Sequence, residues 1–260
     1  MDMKRNKILG VMTSLFLLTG CTVVEDRRPC PCLLTLDFSG TDTELISDVD
    51  VLLIGDSGVI HRAFLDADVF MPEYRITVPR EEMFLNVYCY KDDYLSDADG
   101  LHISHGSDCP RVYMHSSQIH AYNEIATDTV VMHKNHCVMD IVMEEYGEFK
   151  YGLCLKGNVC GYGRDGRPLE GNFEFRPETV AHNRFQVVLP RQMDSSLILE
   201  IDDGTGVVKR FALGEYLASG GYDWNMEDLQ DVEVYIDWRM TVISVFVKDW
   251  DARQEYEIII

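Results

Sequence analysis

Eight cysteines, Cys21, Cys30, Cys32, Cys89, Cys109, Cys137, Cys154 and Cys160, and eight histidines are the side chains of this 260-residue chain whose types lend themselves to chemistry. Thiols can be acylated, oxidised in pairs or bound to soft metals, so their spacing has to decide among the three. His102-Ile103-Ser104-His105 and His133-Lys134-Asn135-His136-Cys137 have the separation of ligand pairs on a helix, but their surroundings read as strand, where positions three apart face opposite sides. Neither is expected to hold a metal. Asp97-Ala98-Asp99-Gly100 starts like a calcium loop, yet its twelfth position is Asp108 and not the bidentate glutamate such a loop needs. No nucleophile elbow, Walker loop or zincin helix occurs, and Gly161-Tyr162-Gly163 and Gly204-Thr205-Gly206 lack the following helix of a phosphate loop and read as hairpin turns. The expectation is a protein with no catalytic residue, no metal and no cofactor.

One cysteine stands apart. Lys4, Arg5 and Lys7 precede an apolar run from Ile8 to Leu18 that ends in Leu18-Thr19-Gly20-Cys21. A basic end, an apolar stretch well short of the ~20 residues of a membrane span and a small-residue cleavage site describe an export signal. The tetrapeptide resembles a bacterial lipobox, which implies cleavage after Gly20, acylation of Cys21 and a chain tethered to a membrane by lipid. Thr22 in the next position favours the outer membrane over the inner one. The other seven cysteines then lie in an oxidising compartment as disulfide candidates, and an odd count leaves at least one over. Cys30-Pro31-Cys32 is poorly placed to close on itself, because alternate strand residues face apart and proline stiffens the loop. The pairing stays open.

Cleavage after Gly20 removes three bases and one acid, so the mature chain carries 20 bases against 43 acids. With no basic stripe and so acidic a field, nucleic acid is excluded as a partner. An apolar content of 46% supports a packed core through most of the chain.

The elements that would position these residues are short strands separated by Gly, Asp, Asn and Pro. Leu33–Phe38 and Tyr74–Val78 alternate, Val49–Ile54 is almost continuously apolar, and Val59–Phe64 and Met83–Tyr90 have strand length. Residues 91–121 read as a long polar loop or a pair of short helical turns. Strands resume at Thr129–His133 and His136–Met143, followed by Lys150–Lys156, Asn172–Arg176, Phe185–Leu189, Leu197–Asp202 and Val207–Phe211, with one helix at Leu213–Ala218 before Gly220-Gly221. Val232–Trp238 and Val242–Val247 form a hairpin, and the chain ends in the strand Tyr256-Glu257-Ile258-Ile259-Ile260. That apolar edge needs a partner, either its own last sheet or another molecule. The expected fold is all-β: a signal peptide at 1–20, a lipidated tether at 21–32, and two tandem antiparallel β-sandwiches at 33–135 and 136–260.

Taken together, Cys21 with Glu25-Asp26-Arg27, Cys30-Pro31-Cys32-Leu33, the strands Leu34–Phe38 and Val49–Ile54 entering Asp56-Ser57-Gly58, and the closing Val232–Ile236 and Lys248-Asp249-Trp250 resemble the FimB-type fimbrial anchor family of the fimbrillin superfamily. The resemblance spans nearly the whole mature chain. It implies transthyretin-like sandwiches, fimbrial shaft subunits as partners, and a lipoprotein that fixes a type V fimbria to the outer membrane and ends its growth by strand complementation. Tyr256, Ile258, Ile259 and Ile260 then become the candidate polymer contact, and Leu33–Phe38 a first strand that is retained. The competing reading is a surface glycan-binding lipoprotein, with Tyr113, Tyr122, Tyr162, Tyr222 and Trp224 as a stacking platform.

Overall fold

The computed structural model describes residues 30–90, 96–144, 151–181, 183–237, 242–248 and 253–259. Gly20, Cys21 and Ile260 lie outside these residues.

The first half begins with β1 (Cys32–Asp37), β2 (Asp48–Gly55) and β3 (Gly58–Asp66), then a four-residue helix α1 (Ala67–Phe70), β4 (Glu73–Val78) and β5 (Glu82–Cys89). It continues through β6 (Ser96–Asp97), β7 (Gly100–His102), β8 (Tyr113–His120), β9 (Ile125–Thr129) and β10 (His133–Lys134). A three-stranded sheet in the order β4-β1-β9 faces a five-stranded sheet in the order β10-β8-β5-β2-β3. Alternation sets the core between them: Leu34, Leu36 and Phe38 from one sheet meet Val51, Leu53, Leu85 and Val87 from the other, all fully shielded from solvent.

The second half holds β11 (His136–Glu144), β12 (Gly152–Gly163), β13 (Pro168–Phe175), β14 (Thr179–Ala181), β15 (Arg184–Pro190), β16 (Ile198–Asp202) and β17 (Val208–Phe211). After α2 (Leu213–Ser219) come β18 (Asp231–Asp237), β19 (Val242–Lys248) and β20 (Arg253–Ile259). One sheet runs β14-β15-β11-β18-β19-β20; the other runs β17-β16-β12-β7-β6, with β13 also on β12. Met139, Ile141, Val187, Val232 and Val234 pack against Leu155, Leu199 and Ile201 in a second core.

A third apolar cluster joins the halves. Leu52, Ile54, Tyr88 and Met114 on the outer face of the five-stranded sheet pack against Leu101 and Tyr162. This explains why Val49–Ile54 lacks alternation: β2 is buried on both faces.

Three local expectations are corrected. Residues 113–120 are not loop but the eight-residue strand β8, paired along its whole length with β5. Polar residues on both faces, His115 and Ser117 on the side of the first core and Ser116, Gln118 and His120 on the other, hid the strand pattern. Gly161-Tyr162-Gly163 is no hairpin turn; it is the end of β12, paired with β7. Thr129–His133 is likewise not one strand, since β9 ends at Thr129 and β10 begins at His133. Most pairings are antiparallel, but β1 runs parallel to β9 and β11 parallel to β18. Each half thus places its first strand between one antiparallel and one parallel neighbour.

Candidate functional site

The resemblance puts the functional weight on two strands, the first and the last. β1 pairs with β4 over six residues, from Cys32↔Val78 to Asp37↔Glu73, and with β9 over five, from Leu33↔Ile125 to Asp37↔Thr129. It is therefore the central strand of its sheet, with both edges occupied. Its inward residues Leu34 and Leu36, with Phe38 just beyond, are fully buried, while Leu33 on the other face is 40% exposed. Phe38 packs against Phe70 of α1 at a ring distance of 4.8 Å.

The parallel neighbour is pinned in turn. Asp128 of β9 accepts hydrogen bonds from Ser117 Oγ at 2.7 Å and His115 Nε2 at 3.0 Å, both on β8 of the facing sheet. Burial pushes the Asp128 carboxyl upward, but these bonds outweigh it and hold the group below the ordinary aspartate value. His115 Nδ1 lies 3.2 Å from both the N and the carbonyl oxygen of Val131, so the ring ties Asp128 to the segment that follows β9.

The last strand pairs within its own sheet. β20 runs antiparallel to β19, from Val242↔Ile259 through Ile243↔Ile258 and Val245↔Tyr256 to Lys248↔Arg253. It forms the edge of the six-stranded sheet, so one side of its backbone meets β19 and the other has no strand beside it among the described residues. Tyr256, Ile258 and Ile259 sit on this edge.

The cysteines divide between the halves. Cys30 is exposed, and Cys32 opens β1 in the first core. Cys89 closes β5 with Sγ 3.9 Å from Asp48 Oδ1. Cys109 and Cys137 are buried in the second core, and Cys154 and Cys160 lie on β12. Cys30, Cys32, Cys109, Cys154 and Cys160 are free thiols. Burial drives the Cys109 thiol well above its ordinary value, which makes it a poor nucleophile. Among the described residues no group of three or more His, Cys, Asp or Glu could hold a metal ion. The calcium-like run is the tight β6–β7 connection, where Asp99 N–H bonds Asp97 Oδ1 at 2.8 Å.

The aromatics proposed as a glycan platform do not assemble into one. Tyr162, Tyr222 and Trp224 are core residues, at 0%, 5% and 6% exposure. Tyr162 gives its hydroxyl proton to the Asn135 carbonyl and accepts the Arg191 N–H at 2.9 Å. Tyr122 is exposed but stacks on His120, away from the others. Tyr113 is half-buried, in a cleft that sequence reasoning missed.

That cleft, about 460 Å³, lies where loop 40–46 of the first half faces segments 131–134 and 226–231. Its wall is tied by the Lys134 N–H to Asp228 Oδ1 (2.6 Å), the Leu229 N–H to the Lys134 carbonyl (2.9 Å), and Lys134 Nζ to Asp231 Oδ1 (2.6 Å). Arg191 braces the 224–227 loop behind it, donating to the carbonyls of Trp224, Met226 and Glu227.

No family profile and no curated protein sequence matches the chain. Solved structures do. A Bacteroides thetaiotaomicron protein described as polysaccharide-binding (DUF1812) superposes with a TM-score of 0.62 at 12% identity, over 87% of this chain and 98% of that one. The fimbrial anchor protein Mfa2 of Porphyromonas gingivalis gives 0.58 at 11% identity, over 87% and 99%. A Bacteroides ovatus protein described as an adhesin gives 0.57 at 11% identity, over 87% and 95%. The all-β sandwich fold is therefore one shared with a fimbrial anchor and an adhesin, in line with the likeness read from the sequence. At these identities the likeness is one of fold.

Proposed function

We propose that this chain serves cell-surface adhesion as a fimbrial anchor: a lipoprotein held in the outer membrane through acylated Cys21, which binds the base of a fimbrial shaft and ends its assembly by β-strand complementation. The fold shared with an anchor and an adhesin supports the broader role. The finer role rests on one observation, the position of β1.

A subunit that polymerises by strand exchange has to give up a strand and leave an apolar groove for its neighbour to fill. Here the strand nearest the anchor is central and paired on both sides. Removing it would expose Leu34, Leu36 and Phe38, at about 1.5–3 kcal/mol per side chain before the two hydrogen-bonded ladders are counted. Ten residues separate Cys21 from Cys32, so the lipid and the first core strand belong to one short covalent link. Proteolytic loss of β1 would also cut the anchor. The first sandwich thus keeps its groove filled, and exchange with the shaft falls to another edge, for which β20 is the candidate.

Two variants test the reading. Cys21→Ser should release intact shafts into the medium while the protein still folds. Deleting residues 256–260 should weaken shaft capture without dissolving the second sandwich; a shaft retained at wild-type strength would remove β20 from the mechanism. The glycan-binding reading has less support, because three of its five aromatics lie in cores.

A further inference from the structure

The cleft between loop 40–46 and segment 226–231 plays no part in strand exchange, yet it is built like a binding site. Ile46 and Leu229 form a buried floor, and Leu45, Val131 and Met226 stand 49%, 50% and 40% exposed around it. Large aliphatic side chains gathered at one opening usually mark a contact surface. The charged lining is Asp42, Asp228 and Asp231 against Lys134 alone, and Lys134 is already paired with Asp231.

We propose that this cleft docks a basic, extended peptide segment of a partner protein, with an aliphatic side chain seated among Leu45, Val131 and Met226 and a neighbouring Lys or Arg facing Asp42 and Asp228. The volume suits one or two side chains and is too small for a folded surface. The sign of the partner follows from the excess of carboxylates, set within a chain of net charge −21. A sugar is a poorer match, because Tyr113 is the one aromatic ring on the lining.

The test uses the acylated full chain in detergent micelles and fluorescein-labelled heptapeptides that alternate Lys with Leu or Val between terminal glycines. Glu-for-Lys counterparts and maltohexaose serve as comparison probes. The Lys peptide should bind, and the Glu peptide should bind at least tenfold more weakly. Leu45→Ser with Met226→Ser should weaken binding about tenfold, as should Asp42→Asn with Asp228→Asn, whose amide oxygens can still accept the Glu44 and Lys134 N–H groups; both pairs should unfold cooperatively, as the wild type does. Glu178→Gln with Glu215→Gln, the same charge change at remote exposed sites, should leave affinity unaltered. An equal loss in that control would show mere charge attraction and overturn the proposal. Equal binding of both peptides, no binding of either, or maltohexaose binding that the Leu45/Met226 pair abolishes would overturn it as well. Shaft attachment measured in the same variants reports on anchoring separately, so either reading can fail alone.

Discussion

His136 donates its Nδ1 proton to the Val112 carbonyl at 3.0 Å, with the ring 3% exposed and edge-on to Tyr113 at 5.5 Å. The bond joins the first residue of β11 to the segment entering β8, so it crosses from the second half of the chain to the first. Burial, only partly offset by that carbonyl, lowers the His136 pKa to about 4.

A pH dependence follows. The unfolded ring takes up a proton near pH 6.5 and the folded ring only near 4, so between these values the unfolded state binds more protons and stability rises with pH. The contribution is fully present above about pH 6.5 and is lost as pH falls toward 4; it amounts to about 2 kcal/mol between pH 7 and 4.5. Urea unfolding at both values should show that loss in the wild type and a flatter profile in His136→Asn, whose amide can still reach Val112. Asp128, whose carboxyl is held low, adds a separate loss only below the ordinary aspartate range.

The Arg62 guanidinium grips Asp50 through two bonds, Nη2 to Oδ2 at 2.8 Å and Nε to Oδ1 at 3.1 Å, while Ser96 Oγ adds a third at 2.8 Å. Asp50 is 3% exposed. Arg62→Met should therefore cost about 3 kcal/mol by leaving a buried carboxylate uncompensated, and the double variant Arg62→Met/Asp50→Leu should recover much of it. A double-mutant cycle with no recovery would contradict this account of the pair.

Within β1, burial separates two neighbouring leucine types. Leu36→Ala should cost about 2–5 kcal/mol through the cavity it leaves, whereas Leu33→Ala, on the open face, should stay within about 1 kcal/mol. Denaturant midpoints measured side by side decide the matter. Equal losses would mean that β1 is not the inner wall of the first core.

Gly58 and Gly100 both adopt positive φ, +113° and +123°, but a Cβ on Gly58 meets open space while one on Gly100 falls 2.0 Å from the Tyr162 carbonyl oxygen. Gly58→Ala should cost about 1 kcal/mol of backbone strain. Gly100→Ala should cost several times more, because it also pushes β7 off β12, and thermal midpoints of the two variants will show the difference.

Strands with one buried face could be read directly: β1 and β18 alternate cleanly, and Val232, Val234 and Ile236 all point into the second core. Alternation names a face but not a partner, so the parallel pairing of β1 with β9, 92 positions apart at Leu33↔Ile125, left no trace in the local pattern. β8 was hidden by its polar residues, of which His115 and Ser117 do their bonding to Asp128 across the sandwich. Gly161 looked like a turn residue; in fact its missing side chain lets the Leu101 carbonyl approach, 2.1 Å from where a Cβ would stand. The cleft was invisible for a simpler reason. Asp42 and Asp228 come together only once both halves have folded.

The central claim, capture of a fimbrial shaft by strand complementation at a lipid anchor, is tested most directly by recovering the acylated chain from detergent-solubilised outer membrane and identifying what stays bound through mild denaturant. Shaft subunits in a denaturant-resistant complex, lost when residues 256–260 are deleted, are the predicted result. Recovery of the chain alone, or with saccharide-uptake components in place of shaft subunits, would contradict it.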